Sequence, residues 1–379
     1  MKPEMSAKTT VASRRSSAGA AGATSAVAVA ASAVPQLPQN FAPSAFVALQ
    51  VGHRRTSEAP QLVQNFWSAS FSWPHAGQLY RSVTASHSLL CSAPVAAPDV
   101  IAVGDVMVDA RVEAEALRDG GHVAGQVRLR PGGSAANAAA WARTAGATAA
   151  VVGRVGDDFA GRALRAELAR RGVEALLALD PEASTGVVLA LGEALVAERG
   201  ATARLEPEDV PAPLEAGAVL VSGYVLLQED SGPAGRVALE RASSPWRAVD
   251  AASAGLLEAY GRERFFAATA AASVLLVNED EAFVLTDEEP ELAARALADL
   301  YRLVCVKRGA QGAVACFEGR LERAEAPPVA VVDPLGAGDA FAGVLLAGLA
   351  RGRPLRDALR DSCRAGAAAA AAAESWPVA

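Results

Sequence analysis

The chain is poor in cysteine, and its four (Cys91, Cys305, Cys316 and Cys363) show neither metal-site nor disulfide spacing. That excludes a zinc-stapled or disulfide-stapled fold and fits a reduced, intracellular setting. Cys305 and Cys316 sit in apolar runs and read as core residues. Long apolar runs are also missing. The Ala-rich stretch at 18–34 falls below the ~20 strongly apolar residues that a membrane span needs, so no transmembrane helix is expected. No G-x-G-x-x-G follows the first apolar strand, which argues against a dinucleotide-binding oxidoreductase. Basic charge is scarce where a polyanion would need it. The first 98 residues hold 7 Lys+Arg against 2 Asp+Glu, and the remainder holds 28 against 40. An acidic body argues against nucleic acid as the main partner. It does not exclude a small phosphorylated ligand, whose charge backbone amides and a divalent cation can neutralise locally.

Residues 1–98 differ from the rest. From Ser16 to Gly52 there is no charged residue. A repeat with a period of 25 residues follows: Pro35–Phe41 (PQLPQNF) matches Pro60–Phe66 (PQLVQNF). Two copies are too few for a self-supporting solenoid, and neither copy has strand or helix periodicity. The segment reads as a disordered extension. Three explanations stand side by side. Arg and Ser enrichment with few acids resembles an organelle transit peptide. Arg14-Arg15 ahead of an Ala/Val run, with Ala31-Ser32-Ala33 as a cleavage site, resembles an export signal. The third is that the true start lies near residue 95. The expected location is cytoplasmic, or organellar if the segment is a real transit peptide.

What is present from residue 99 to 373 is an alternation of apolar strands and amphipathic helices. Val100–Val108 reads as a strand broken by Gly104. Val187–Leu191, Val219–Tyr224, Ala248–Asp250, Val274–Glu281 (ending in polar residues) and Leu303–Lys307 read as further strands. Helical patterns fall at about Ser134–Thr144, around Leu164 and Leu168, near 232–242, and from about Leu355 to Ala373. The alternation predicts an α/β domain with a mostly parallel sheet covered on both faces. Residues 374–379 read as a tail.

The most informative stretch is Asp333–Phe341 (DPLGAGDAF). The apolar run Val329–Val332 before it reads as a buried strand, and Phe341, Val344, Leu345 and Leu349 behind it have helical spacing. Glycines in the turn allow close backbone approach to a ligand. The amides at the helix start attract an anion. Asp339 places a carboxylate there, able to take a proton from a hydroxyl. A bare G-x-G-D reads equally as an ordinary strand-to-helix turn.

The longer pattern resembles the C-terminal signature of the PfkB/ribokinase family of carbohydrate kinases. Gly132-Gly133-Ser134-Ala135-Ala136-Asn137, about 200 residues earlier, resembles the family's N-terminal signature. The resemblance covers residues 99–373 and implies a ribokinase-like fold with a small β-lid near 111–130. It implies phosphorylation, with ATP, of a hydroxyl on a small sugar-like acceptor. Asp339 would be the base, with Gly336, Ala337 and Gly338 as the anion hole. Asp109, Gly133 and Asn137 would bind the acceptor. Their bland alternatives are a loop aspartate, a turn glycine and a helix-cap asparagine. Asn278 and Glu281 match the family's N-x-x-E motif, which organises Mg²⁺ through water. They read equally as an acidic helix N-terminus. Lys307, Gly309 and Gly312 match the nucleotide-side turn, although Lys307 could be a surface charge. The family also suggests a monovalent cation such as K⁺ near Asp333, and a homodimer through the lid. Many relatives carry Arg-Thr where this chain has Ala194-Leu195, so the acceptor stays open between sugars and nucleosides. A non-catalytic binding protein is the rival from another class.

Overall fold

The computed structural model describes residues 96–114, 124–191, 194–372 and 376–377. The readings of the N-terminal extension, its repeat and Cys91 lie outside these residues. Among the described residues no helix is long and apolar enough to cross a membrane.

The chain enters as β1 (Val100–Val103), in which Val100 and Ala102 face one core and Ile101 and Val103 the other. Period-two apolarity on both faces is what a covered central strand requires. Gly104, at φ 150°, follows it, and a Cβ there would lie 2.6 Å from the Ser222 Cβ, so the close approach needs glycine. The chain crosses to a second sheet as β2 (Met107–Ala114) and returns as β3 (Gly125–Gly132). Next come α1 (Ser134–Thr144), β4 (Ala149–Gly156), α2 (Phe159–Arg170) and β5 (Val173–Asp180). β6 (Thr185–Leu191) and β7 (Ala194–Gly200) complete the second sheet. The remainder runs β8 (Leu214–Glu215), β9 (Ala218–Ser222), α3 (Gly223–Leu226), α4 (Gly232–Arg241), β10 (Ala242–Ser243) and β11 (Trp246–Asp250). α5 (Ala254–Tyr260), α6 (Arg262–Ala268), β12 (Val274–Asn278), α7 (Glu279–Thr286), α8 (Pro290–Leu297) and β13 (Leu303–Lys307) follow. The chain closes with the hairpin β14 (Ala313–Phe317) and β15 (Arg320–Ala324), then α9 (Ala337–Ala350) and α10 (Leu355–Ala371).

The main sheet has nine strands in the order β15-β14-β13-β12-β11-β9-β1-β4-β5. The run from β13 to β5 is parallel, and β14 and β15 add an antiparallel edge. Helices α1, α2, α9 and α10 cover one face, and helices from α3 to α8 the other. Cys305 on β13 joins the first core and Cys316 on β14 the second, as their apolar settings predicted. The smaller sheet has the order β3-β2-β6-β7, with β2 and β6 parallel at its centre.

Four expectations change. Val100–Val108 is not one strand with a kink: it belongs to two sheets, so Asp109 lies inside β2 rather than in a loop. The strand predicted over Val219–Tyr224 stops at Ser222, whose hydroxyl accepts from the Tyr224 amide and caps α3. Val329–Val332 is not a buried strand. The β14–β15 hairpin already closes that edge, and Pro327-Pro328 supplies no donors for a ladder. Val329, Val331 and Val332 are exposed, and the amides of Val332 and Asp333 donate to the Ala370 carbonyl at 2.8 and 3.1 Å. Finally, the segment read as a tail contains Trp376, which is 2% exposed within the core under α1 and α9.

Candidate active site

In a parallel sheet the carboxyl ends of neighbouring strands share one edge, and ligands bind outside it. Here that edge carries Ser222, Asp250, Asn278 and Lys307, the last residues of four adjacent strands. Lys307 Nζ donates to Asp250 Oδ1 at 2.8 Å and to Oδ2 at 2.9 Å. Burial alone would depress the Lys307 pKa. Asp250, and after it Glu281, outweigh burial and hold it above the usual lysine value. So Lys307 is not a surface charge.

Asn278 ends β12 and caps α7. Its Oδ1 accepts from the Glu281 amide at 2.8 Å, while Glu281 accepts from the Asn278 amide at 2.9 Å and from Asn278 Nδ2 at 2.7 Å. The pair is therefore a reciprocal cap. It buries Glu281 to 2% exposure at this carboxyl edge of the sheet. Burial, opposed by Lys307, raises the Glu281 pKa above the usual carboxylate range.

The loop from β15 delivers Asp333 and the start of α9. Gly336 caps that helix at φ 81°, a left-handed conformation in which glycine is unstrained. The amides of Gly338 and Asp339 open the helix without a backbone acceptor among the described residues. A Cβ on Gly338 would lie 3.3 Å from Lys307 Nζ, so the ammonium stands beside these amides. Asp339 Oδ1 accepts from Ser134 Oγ at 2.9 Å, and Oδ2 accepts from Asn137 Nδ2 at 2.7 Å. Burial, reinforced by the charge of Asp250, pushes the Asp339 pKa up to about 7, against the two hydrogen bonds and Lys307. A carboxyl that titrates near neutrality suits proton exchange with a hydroxyl.

The two signatures, 200 residues apart in sequence, are thus directly bonded. Gly133 makes this possible: at φ 92° it turns β3 into α1, and a Cβ there would meet the Asp105 carbonyl at 2.4 Å. Asn137 is not a cap. Its amide bridges Asp339 and Trp376.

Asp109 lies on β2 opposite Arg130, with its carboxylate packed over Gly132, where a Cβ would come within 2.2 Å of it. It lines a cleft with Arg111, Arg130, Val188 and Ala190 of the smaller sheet and with Asp333 and Leu335 of the loop before α9. Arg111 pairs with Asp333 across that cleft. Asp339 is not in the cleft lining. Gly309 is in open space, while Gly312 packs so closely on the Ala324 carbonyl that a Cβ would lie 2.0 Å from it. Gly312 is therefore fixed by the β14–β15 hairpin whatever else it does.

Ser134, Asp250, Arg111, Arg130 and Trp376 are not among the site residues expected from the sequence. Only Lys307 carried a signal for the Asp250 pair: it is the one lysine beyond residue 8, and it lies at the end of a buried strand.

A family model described as pfkB family carbohydrate kinase matches residues 97–375. The chain belongs to that family. It is a sugar kinase, a phosphotransferase with the ribokinase-like α/β fold. Among its relatives is the 2-dehydro-3-deoxygluconokinase of Thermoproteus tenax, 32% identical over 57% of this chain and 71% of the relative. The cytidine kinase of Thermococcus kodakarensis is 29% identical over 69% of this chain and 92% of the relative. Adenosine kinase from Sinorhizobium meliloti, a solved structure at 23% identity, superposes with a TM-score of 0.68 over 75% of this pfkB-family chain and 97% of that one.

Proposed function

We propose that this pfkB-family kinase transfers the γ-phosphoryl group of ATP to a hydroxyl of a small sugar-like acceptor, with Asp339 as base. The observation that carries the reading is the place of Asp339. It stands on the first turn of α9, bonded to Ser134 and Asn137, beside two helix-start amides and the Lys307 ammonium. The acceptor oxygen attacks phosphorus as its proton passes to Asp339. The bond from phosphorus to the bridging oxygen breaks, and ADP leaves. Charge on the transferring group meets the amides of Gly338 and Asp339, with Lys307 alongside; of the expected anion hole Gly336–Gly338, the Ala337 amide already donates to the Pro334 carbonyl at 3.3 Å. The work is mostly positioning and charge stabilisation.

Asp109, Gly133 and Asn137 are assigned to the acceptor. The β2-β3-β6-β7 sheet would serve as a lid that keeps water, a competing acceptor, from the phosphoryl group. Gly309 and Gly312 are assigned to the nucleotide side. Among the described residues no three His, Cys, Asp or Glu side chains cluster as a metal site. Both Glu281 oxygens already accept from Asn278. These residues therefore fit Mg²⁺ held through water by Asn278 and Glu281, not directly ligated. When bound, Mg²⁺ neutralises the phosphate oxygens. A monovalent cation such as K⁺ is assigned to the loop around Asp333, whose side chain also pairs with Arg111.

One face of the lid sheet is apolar. Ala110, Leu129, Leu189 and Val196 share it by register, and Val127, Leu129 and Val196 are exposed. We assign this face to pairing between two copies of the chain.

The test is Mg·ATP consumption against ribose, fructose, fructose phosphates, 2-keto-3-deoxygluconate and nucleosides, with Asp339→Asn as control. Turnover of one acceptor that the substitution abolishes supports the reading. Turnover limited to nucleosides favours the nucleoside-kinase alternative, to which the similarity with cytidine kinase points. A folded protein that binds ATP and turns over no acceptor would favour a non-catalytic role.

A further inference from the structure

Trp376 lies 239 residues from Asn137 in the chain, yet its indole Nε1 donates to Asn137 Oδ1 at 2.6 Å. The contact has a chemical direction. An indole nitrogen can only donate, so the Asn137 atom facing it must be the oxygen. The amide is then locked with its NH₂ group toward Asp339, where Nδ2 donates to Oδ2 at 2.7 Å. Without the indole, an asparagine amide can rotate and present its oxygen to a carboxylate, which is repulsive. Trp376 is itself held. It is 2% exposed, and the Arg171 guanidinium at the end of α2 stacks over its ring, 5.1 Å from the centroid. Arg171 also donates to the Pro377 carbonyl.

We propose that Trp376 is a positioning residue for phosphoryl transfer: its indole N–H fixes the Asn137 amide as a donor to Asp339. The inference rests on the reading of Asp339 as base. The donor bond matters because burial raises the Asp339 pKa and Asn137 opposes that rise. The other groups facing Asp339 are Ser134 on α1, Asp250 at the end of β11, Lys307 at the end of β13 and Tyr224 on α3. Among the described residues none of these hydrogen-bonds to Trp376, so the loss of the indole N–H reaches Asp339 through Asn137.

The experiment is kcat/KM against pH for the full chain and its Trp376→Phe variant. Losing the lock raises the Asp339 pKa, so the acidic limb moves up by about half to one pH unit. The variant is then several-fold slower below pH 7 and close to the parent at pH 9. A folded variant whose profile superimposes on the parent overturns the proposal. If Trp376→Phe does not fold, 3-benzothienylalanine at position 376 keeps the bicyclic ring and replaces N–H by sulfur, with the same two outcomes. Activity in Asp339→Asn would instead mean that the base reading is wrong. The positioning contact is then judged by the indole ¹H–¹⁵N resonance, identified by its loss in Trp376→Phe. That resonance moves with a midpoint near 7 and stands still in Asp339→Asn. A resonance that ignores pH overturns the contact as well.

Discussion

Replacing Lys307 by Met is the most demanding perturbation. Its side chain is 15% exposed and its partner Asp250 is 10% exposed. Methionine keeps most of the side-chain volume and removes the charge. Asp250 then loses both of its short contacts, and buried Glu281 loses its nearest cation. Breaking a buried pair by removing one partner costs about 3–5 kcal/mol, because the remaining charge is uncompensated. For a domain of this size each kcal/mol moves Tm by roughly 2–4 °C, so a drop on the order of 10 °C is expected by calorimetry or circular dichroism. Asp250→Asn combined with Lys307→Met removes both charges and should recover most of the loss. Activity should not recover, because no ammonium then stands beside Gly338. The parent's dependence on pH has a defined sign. The folded Lys307 pKa lies above its unfolded value. The pair's stabilisation is therefore complete below about pH 10.4 and fades only as pH rises through the folded value. A single variant that loses less than 1 kcal/mol, or a double variant no more stable than the single, would refute the account of the pair.

Asp339→Asn should be more stable than the parent above pH 7. The folded pKa of Asp339, about 7, exceeds its ordinary 3.8, so the parent loses stability as pH rises between those values and the gap closes near pH 4; urea unfolding at several pH values checks this. Gly338→Ala brings a Cβ to 3.3 Å from Lys307 Nζ and crowds the helix-start amides. It should lower kcat by roughly 10²-fold with little change in Tm. Arg130 lines the cleft with no ion pair among the described residues. Arg130→Ala should raise KM about tenfold or more for an acceptor bearing a carboxylate or phosphate, and hardly at all for a neutral sugar, as initial-rate kinetics would show.

Much of the fold was legible because both signals were local. The apolar runs mark the strands of a covered parallel sheet, and D-P-L-G-A-G-D marks the helix that carries Asp339. Asn278 and Glu281 carried two readings, a family motif and an acidic helix start. The structure bears out the helix start and makes it a capping box. The partners of Asp339 and Lys307 were not legible, because they depend on strand order. Nothing near Lys307 in sequence points to Asp250; β12 separates their strands in the sheet. Ser134 reads as a helix start until α1 and α9 are seen to pack. Val329–Val332 misled because apolar composition does not show that the sheet edge is already taken by a hairpin.

The smaller sheet joins the body at four points: between β1 and β2, between β3 and α1, between β5 and β6, and at the end of β7. A flap tied at one end can peel or fray. A plate tied at four corners has one easy movement, a tilt of the whole. Its two central strands, β2 and β6, come from opposite ends of this connection and hold each other in register, so no corner can let go without loosening the rest. In the lid role proposed for this sheet, grip on the acceptor and escape of the product would therefore share that one tilt.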